Sequence, residues 1–159
     1  MDKSKENTTE KRNNNRRGSS FGRPKPEFDQ KIISIRRVTR VVAGGRRMSF
    51  AVSMIIGDKT GVVGIGTGKA GDTALAIAKA LKEAKNHAIK IKKTKTGSIP
   101  KDVRAKYTSS EVMLFPNKGK GLVAGAAARD ILVIAGVRDV SSKVLSGSKN
   151  KLNTARAVM

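Results

Sequence analysis

The chain has 159 residues, 38% of them hydrophobic, and carries 34 Lys and Arg against 12 Asp and Glu, a net charge of +22. It has no Cys, which excludes disulfides and thiolate metal sites, and no apolar run near the length that spans a bilayer. Residues 1–29 contain 8 of the basic and 5 of the acidic residues, which leaves 26 and 7, a net +19, for the rest. The surplus therefore belongs to the folded part and predicts a polyanionic partner, nucleic acid before an anionic membrane.

Residues 1–27 have scarcely an apolar side chain, and this composition predicts a disordered basic arm. Arg12, Arg16 and Arg17 could grip phosphates there, or the arm could simply be a solubilising tail. The polar N-terminus contains acids, which is not typical of a signal or transit peptide, so an intracellular protein is expected.

The first folded stretch predicts a hairpin. From Gln30, β-branched residues alternate with arginines, and the pattern favours a strand that turns at 43–46. A second strand follows over 47–56, with a period of two that predicts one packed face and one wet face. The hairpin is expected to bring its arginines close together at one sheet edge, which would contact RNA or be merely solvated: Arg36, Arg37, Arg40, Arg46 and Arg47.

A turn at 57–61 predicts an antiparallel third strand, which runs from Val62 into a series of glycines. Residues 66–71 match the dinucleotide pattern GxGxxG, but antiparallel hairpins precede it and Glu83 lies inside the next helix. The glycines could instead let the sheet twist, or let an RNA backbone approach. The last interpretation makes Gly66, Gly68 and Lys69 candidate RNA contacts.

A helix is predicted from Asp72 or Thr73 to Asn86, with a buried stripe of Ala74, Ile77, Ala78, Leu81 and Ala84. His87 at its end has no partner at metal or catalytic spacing, so it is interpreted as a capping or surface residue. Three strands and this helix make a small α+β unit, and a strand beginning at 89–93 and a loop at 93–98 separate it from the next.

The second unit is predicted to contain strands at 99–107, 112–115 and 137–145, and helices at 122–135 and 151–159. Gly136 would end the first of these helices in the left-handed conformation. Lys118 and Lys120 precede that helix in a glycine-rich loop, where unpaired N–H groups favour anions. They could bind phosphate, or the loop could be a simple connection.

The residue types that catalysis requires are not arranged for it. From residue 30 onward no two carboxylates share a helical or strand spacing, and there is no pairing of a nucleophile with a base. We therefore expect neither an enzyme nor a cofactor or metal. The alternatives left open are a cofactor-binding enzyme built on residues 66–71 and a free-standing RNA chaperone.

Several ordered segments resemble the ribosomal protein S5 family of the small subunit, and the resemblance extends from about residue 28 to the end. They are 37–50 (RVTRVVAGGRRMSF), 63–70 (VGIGTGKA), 119–125 (GKGLVAG), 135–137 and 150–157. The resemblance implies an α+β fold with two domains. Residues 28–91 would form a double-stranded-RNA-binding-like domain with a three-stranded antiparallel sheet and a helix. Residues 92–159 would form a βαβ-type α/β sandwich domain with a left-handed crossover.

The resemblance also implies partners and a role. These are small-subunit ribosomal RNA, ribosomal proteins S4 and S8, and messenger RNA along its path into a cytoplasmic ribosome, with an influence on decoding accuracy. A loop linked to spectinomycin sensitivity would contain Val38, Thr39 and Arg40. Four further residues are candidate RNA contacts, in addition to those named above: Gly44, Gly45, Lys149 and Arg156.

Overall fold

A computed structural model describes residues 27–159, so the predicted arm lies outside the described residues except for Glu27. The fold is α+β, as predicted, with one sheet in the order β1-β2-β3-β4 and a second in the order β5-β6-β7. The elements in chain order are β1 (Asp29–Val42), β2 (Gly45–Gly57), β3 (Val62–Ala70), α1 (Thr73–Asn86), β4 (Ile89–Lys90), β5 (Val103–Tyr107), β6 (Ser110–Pro116), α2 (Ala126–Ala135), β7 (Val140–Val144) and α3 (Lys151–Val158).

The first sheet is antiparallel, and β1 and β2 form its long hairpin. The sheet has four strands where three were predicted, because Ile89 and Lys90 pair with the start of β3. A register shift between Ile32 and Ser34 makes a bulge in β1. Beyond the bulge, the hairpin pairs without interruption to the turn at Ala43 and Gly44.

The glycines of β3 allow α1 to lie directly on the sheet. A Cβ on Gly66 or Gly68 would overlap backbone atoms of Ala80 and of either Ala84 or Ala76 in α1. These three alanines are fully buried, so the stripe that faces the sheet is Ala76, Ala80 and Ala84. The predicted stripe was wrong at Ala74 and Ala78, which are exposed. It also missed Ala76 and Ala80, where glycine opposite alanine brings the two backbones together.

The other face of β2 was predicted to be exposed to solvent along its whole length. This prediction was wrong, because the second unit covers part of that face. Ser53 is 5% exposed and Ile55 is fully buried. Ile55 belongs to a core that includes Val63 of β3 and Ile131 of α2. The first sheet is therefore buried on both faces at this end, which a period of two cannot reveal.

The second unit differs from its prediction mainly in α2, which begins at Ala126 and not at 122. Val123 instead forms a parallel bridge with Ser141, and its N–H donates to the Val140 carbonyl at 3.0 Å. This bridge, α2 and β7 make a βαβ connection, whose handedness stays a prediction. β5 and β7 are shorter than predicted and β6 is longer. α3 occupies its predicted place, with Asn150 accepting from the backbone N–H groups of Leu152 and Asn153.

The turn between β2 and β3 docks onto the C-terminus of α2. Gly136 ends α2 with a φ of 72°, as predicted, and a Cβ there would overlap the Lys59 carbonyl. The Lys59 N–H donates to the Ile134 carbonyl at 3.0 Å. This contact, which we call the joint, fixes the first sheet against the second unit.

Lys93 reinforces the joint from the linker. Its Nζ donates to the carbonyls of Lys59 at 3.1 Å, Ala135 at 3.2 Å and Gly136 at 3.5 Å. A cation is favoured at a helix C-terminus because the last carbonyls have no partner within the helix. One ammonium therefore links the turn of the first unit to the helix end of the second.

Asp58 holds the same turn in shape. Its carboxylate accepts from the Thr60 hydroxyl and from the N–H groups of Thr60, Gly61 and Val62 at 2.8, 3.1 and 2.9 Å. The Thr60 hydroxyl, followed by these N–H groups, lowers the pKa of Asp58 to about 2, with partial desolvation acting in the opposite direction.

Replacing Gly66 by Ala is expected to lower the free energy of unfolding by about 3 kcal/mol, because α1 must move off the sheet. Urea unfolding followed by circular dichroism measures this. Gly71→Ala is the control, since a Cβ there meets nothing within 4 Å. Equal stability of the two variants would contradict the packing role.

Replacing Lys93 by Met is expected to lower the free energy of unfolding by about 1 to 3 kcal/mol, because three carbonyls lose a charged donor. The neighbouring exposed Lys92→Met is the control. Thermal unfolding of both variants makes the comparison. A Lys93 variant as stable as the Lys92 variant would show that the ammonium does not support the joint.

Asp58 predicts a pH dependence of stability. Its pKa is lower in the folded chain than the usual 3.8, so its stabilisation is complete above about pH 4 and is lost as pH falls towards 2. The difference in unfolding free energy between the wild type and Asp58→Ala should therefore be constant near neutrality and shrink in that acid range. A difference that does not change with pH would contradict the assignment.

Candidate nucleic-acid interface

The hairpin of β1 and β2 projects beyond the first sheet. β3 pairs with β2 only as far as Phe50, opposite Ala70. The remaining residues of β2, Gly45–Ser49, pair only with β1. We call this projecting part the ribbon; at the rise of a β-strand it is about 17 Å long.

The five arginines all lie on the hairpin of β1 and β2 at the edge of the sheet, but they are divided between its two faces. Arg40 pairs directly with Arg47, whereas Val41 pairs with Arg46. Because side chains alternate along a strand, Arg36, Arg40 and Arg47 share one face while Arg37 and Arg46 share the other. All five arginines are exposed.

The Arg40 face of the ribbon continues across the first sheet. Arg36 in β1 is paired with Ala51 in β2, and Ala51 with Lys69 in β3, so these three residues form one row. Opposed residues in a sheet project to the same side. Arg36 and Lys69 therefore extend the face that carries Arg40 and Arg47.

At Arg36 this face enters a cleft between the first sheet and α3. One part of the cleft, of about 490 Å³, is lined by Arg36, Lys69 and Arg156. An adjoining part, of about 390 Å³, is lined by Arg36, Lys149 and Lys151. The fold thus brings together cations that are more than 100 residues apart in the chain.

Local contacts hold the α3 side of the cleft. Arg156 donates from Nη1 to the Tyr107 hydroxyl at 2.9 Å, and its guanidinium lies 5.5 Å from the ring centroid. Asn150 caps α3, and Lys149 and Lys151 lie on either side of this capping residue. Lys151 was missed in the sequence, where nothing distinguishes it from other exposed lysines.

We call the continuous set of cations the cationic track. Its members are Arg36, Arg40, Arg47, Lys69, Lys149, Lys151 and Arg156. Within residues 27–159, the ion pairs join Lys31 to Asp130, Lys59 to Asp29 and Arg104 to Glu111, so no member of the track is neutralised there. Seven uncompensated cations repel one another and favour an anion that can span them.

The other candidate residues lie outside this track. Gly44 and Gly45 form the exposed tip of the ribbon, where a Cβ would meet nothing within 4 Å. Gly66 and Gly68 are buried beneath α1, so the backbone that they admit is that of the helix. We therefore assign these two glycines to packing.

Lys118 and Lys120 are exposed, but they do not sit at a helix N-terminus. The start of α2 at Ala126 leaves several residues between them and the helix. Gly121 donates its N–H to Asp139 at 3.2 Å, so this loop is tied to a carboxylate. The prediction of phosphate binding by free helix N–H groups therefore loses its geometric basis, although both lysines remain accessible.

The structure gives little support to a nucleotide-binding or metal-binding site. The antiparallel pairing of β2 with β3 and the helix over Gly66 and Gly68 contradict the dinucleotide alternative. His87 is exposed, with Nδ1 3.0 Å from the Glu83 carbonyl, in agreement with its capping assignment. Among residues 27–159, no group of three or more His, Cys, Asp or Glu could hold a metal. No helix in that part of the chain is long and apolar enough to cross a bilayer.

These features define a strongly basic α+β protein with two sheets, a projecting arginine ribbon and a cationic cleft. Comparison with known proteins agrees. The family model described as ribosomal protein S5, N-terminal domain, matches residues 28–92, and the one described as ribosomal protein S5, C-terminal domain, matches residues 105–159. The chain belongs to the ribosomal protein S5 family, whose members are structural proteins and not enzymes.

Individual relatives support this assignment. The chain is 44% identical to small ribosomal subunit protein uS5 of Mycoplasmopsis agalactiae over 87% of its length. It is 46% identical to that of Persephonella marina over 82%, and 40% identical to uS5c of Cyanophora paradoxa over 85%. The alignments cover 60%, 68% and 80% of these relatives, so the chain spans about 60% of the first.

Proposed function

We propose that this protein is a structural constituent of the small ribosomal subunit and binds small-subunit ribosomal RNA through the cationic track. The track is the observation that carries this proposal. It joins the ribbon to the cleft, includes cations from both family-matched regions, and has no carboxylate partner among residues 27–159. Because the chain belongs to a ribosomal protein family, ribosomal RNA is the anion that we expect.

The mode of binding follows from the residue types. Phe, Tyr and Trp make up 3% of the chain, so stacking on unpaired bases by aromatic rings is not its main means of recognition. Lys and Arg contact phosphates without reading sequence. The track therefore recognises the shape and phosphate spacing of a folded RNA.

The resemblance supports finer proposals about the place of the protein. The neighbours would be ribosomal proteins S4 and S8, and the ribbon would lie near the path of messenger RNA and influence decoding accuracy. Thr39 and Arg40, of the loop linked to spectinomycin, are exposed on the ribbon, and Val38 is half-buried. We also propose a domain boundary between residues 91 and 92, just after β4.

Location can be tested directly. Sedimentation of a cell extract through a sucrose gradient should place the protein with small subunits of the cytoplasmic ribosome. Recovery in the soluble fractions alone would favour the free-standing RNA chaperone. Protection of the RNA from hydroxyl radicals, with and without the protein, would then identify the helices contacted.

The salt dependence of binding tests the track. Each phosphate contact contributes roughly 0.7 to 0.9 to the slope of log affinity against log salt. Replacing Arg36, Arg40 and Arg47 together by Ala should therefore reduce the slope for purified small-subunit ribosomal RNA by about 2 to 3. Filter binding over a range of KCl concentrations measures both affinity and slope.

Arg104→Ala is the matched control, because Arg104 is exposed but paired with Glu111 at 2.5 Å. This variant should retain the wild-type slope. A triple variant with the wild-type slope would remove the Arg40 face from the interface. A wild type that does not bind the RNA at low ionic strength would overturn the proposed function itself.

A further inference from the structure

The ribbon face opposite the track carries exposed apolar side chains. Val41 is 76% exposed and Met48 is 52% exposed, and Ile35 nearer the sheet is 50% exposed. Thr39 is paired with Met48 and Val41 with Arg46, so Val41 and Met48 are diagonal neighbours on one face. We call Val41 and Met48 the apolar tip.

The described chain leaves this tip uncovered. Phe50, on the same face, is half-buried against the cluster of Val52 and Met54 beneath α1. Towards the ribbon end, β2 loses its β3 neighbour, so Val41 and Met48 extend beyond that cluster. Apolar side chains near the projecting end of a basic surface suggest a contact surface.

The charges around the apolar tip indicate an anionic partner. Arg37 and Arg46 lie on the same face, and Arg40 and Arg47 lie on the opposite one. Residues 30–57 include no Asp or Glu, so no carboxylate in this range repels an anionic partner. The two faces of the ribbon therefore favour a partner that has both phosphates and nonpolar surface. A nucleic acid with unpaired bases has both.

We propose that the apolar tip packs against unpaired nucleobases of the RNA whose phosphates bind the cationic track. This inference rests on the proposed function and deepens it, because it adds a nonionic contact on the second face of the ribbon. Apolar side chains can insert between the bases of a nucleic acid, and RNA exposes base faces where loops and bulges leave bases unstacked. The ribbon thereby distinguishes RNA with unpaired bases from a continuous duplex, which phosphate contacts alone do not.

The two faces of the ribbon then differ in their response to salt. Phosphate contacts release counterions, so their loss lowers the salt slope. Burial of an apolar side chain releases none, so its loss weakens binding at every salt concentration by the same factor. Salt titration therefore separates the tip from the track in the same molecule.

The test compares the full-length wild type with the double variant Val41→Ser, Met48→Ser. Val133→Ser is the control, because Val133 in α2 is 49% exposed and lies outside the hairpin. The probes are purified small-subunit ribosomal RNA, a mixed-sequence single-stranded RNA oligomer and the same oligomer in a full duplex. Circular dichroism confirms that each variant is folded.

The double variant is expected to bind ribosomal RNA and the single strand about tenfold more weakly with an unchanged salt slope, and to bind the duplex as the wild type does. Wild-type affinity of the double variant for ribosomal RNA would overturn the inference and leave the proposed function intact. Equal losses on the single strand and the duplex, or a reduced slope, would also overturn it. Failure of the wild type itself to bind ribosomal RNA would instead refute the proposed function.

Discussion

The joint between the β2–β3 turn and the end of α2 is the contact on which the rest of the surface depends. Gly136 lets the Lys59 carbonyl approach α2, and Lys93 donates to carbonyls on both sides. Across β1 and α2, Lys31 and Asp130 add an ion pair at 2.5 Å. Because Arg36 and Lys69 lie on one unit and Arg156 lies on the other, the cleft exists only while this docking is kept.

The track carries an energetic conflict that a polyanion resolves. Arg40 and Arg47 are directly opposed in the hairpin, where like charges destabilise a strand pair. The hairpin nevertheless forms, because backbone pairing is continuous and the guanidinium groups extend into water. Bound phosphates would replace that repulsion by attraction, so the ribbon is arranged for a complex more than for the free protein.

Local patterns predicted much of the fold. Alternation along β2, the glycine and aspartate turn, the extent of α1 and the end of α2 at Gly136 all occur as the sequence indicated, because each depends on neighbours within a few residues. The side-chain cap predicted for α1 is not formed. The failures share one cause. Ser53 is buried by the second unit, and Val123 joins β7 in place of α2, because contacts with distant segments override local preference.

By itself, the sequence determined that the chain is basic throughout its folded part, that an arginine-bearing hairpin precedes a glycine-rich strand and a helix, and that its segments resemble one ribosomal family. Only the tertiary structure decided which cations share a surface. It paired Arg40 with Arg47, placed Lys151 beside Arg36, and closed α1 over Gly66. The physical reason is that strand and helix periods set directions within an element, whereas the approach of two elements depends on the packing of the whole core.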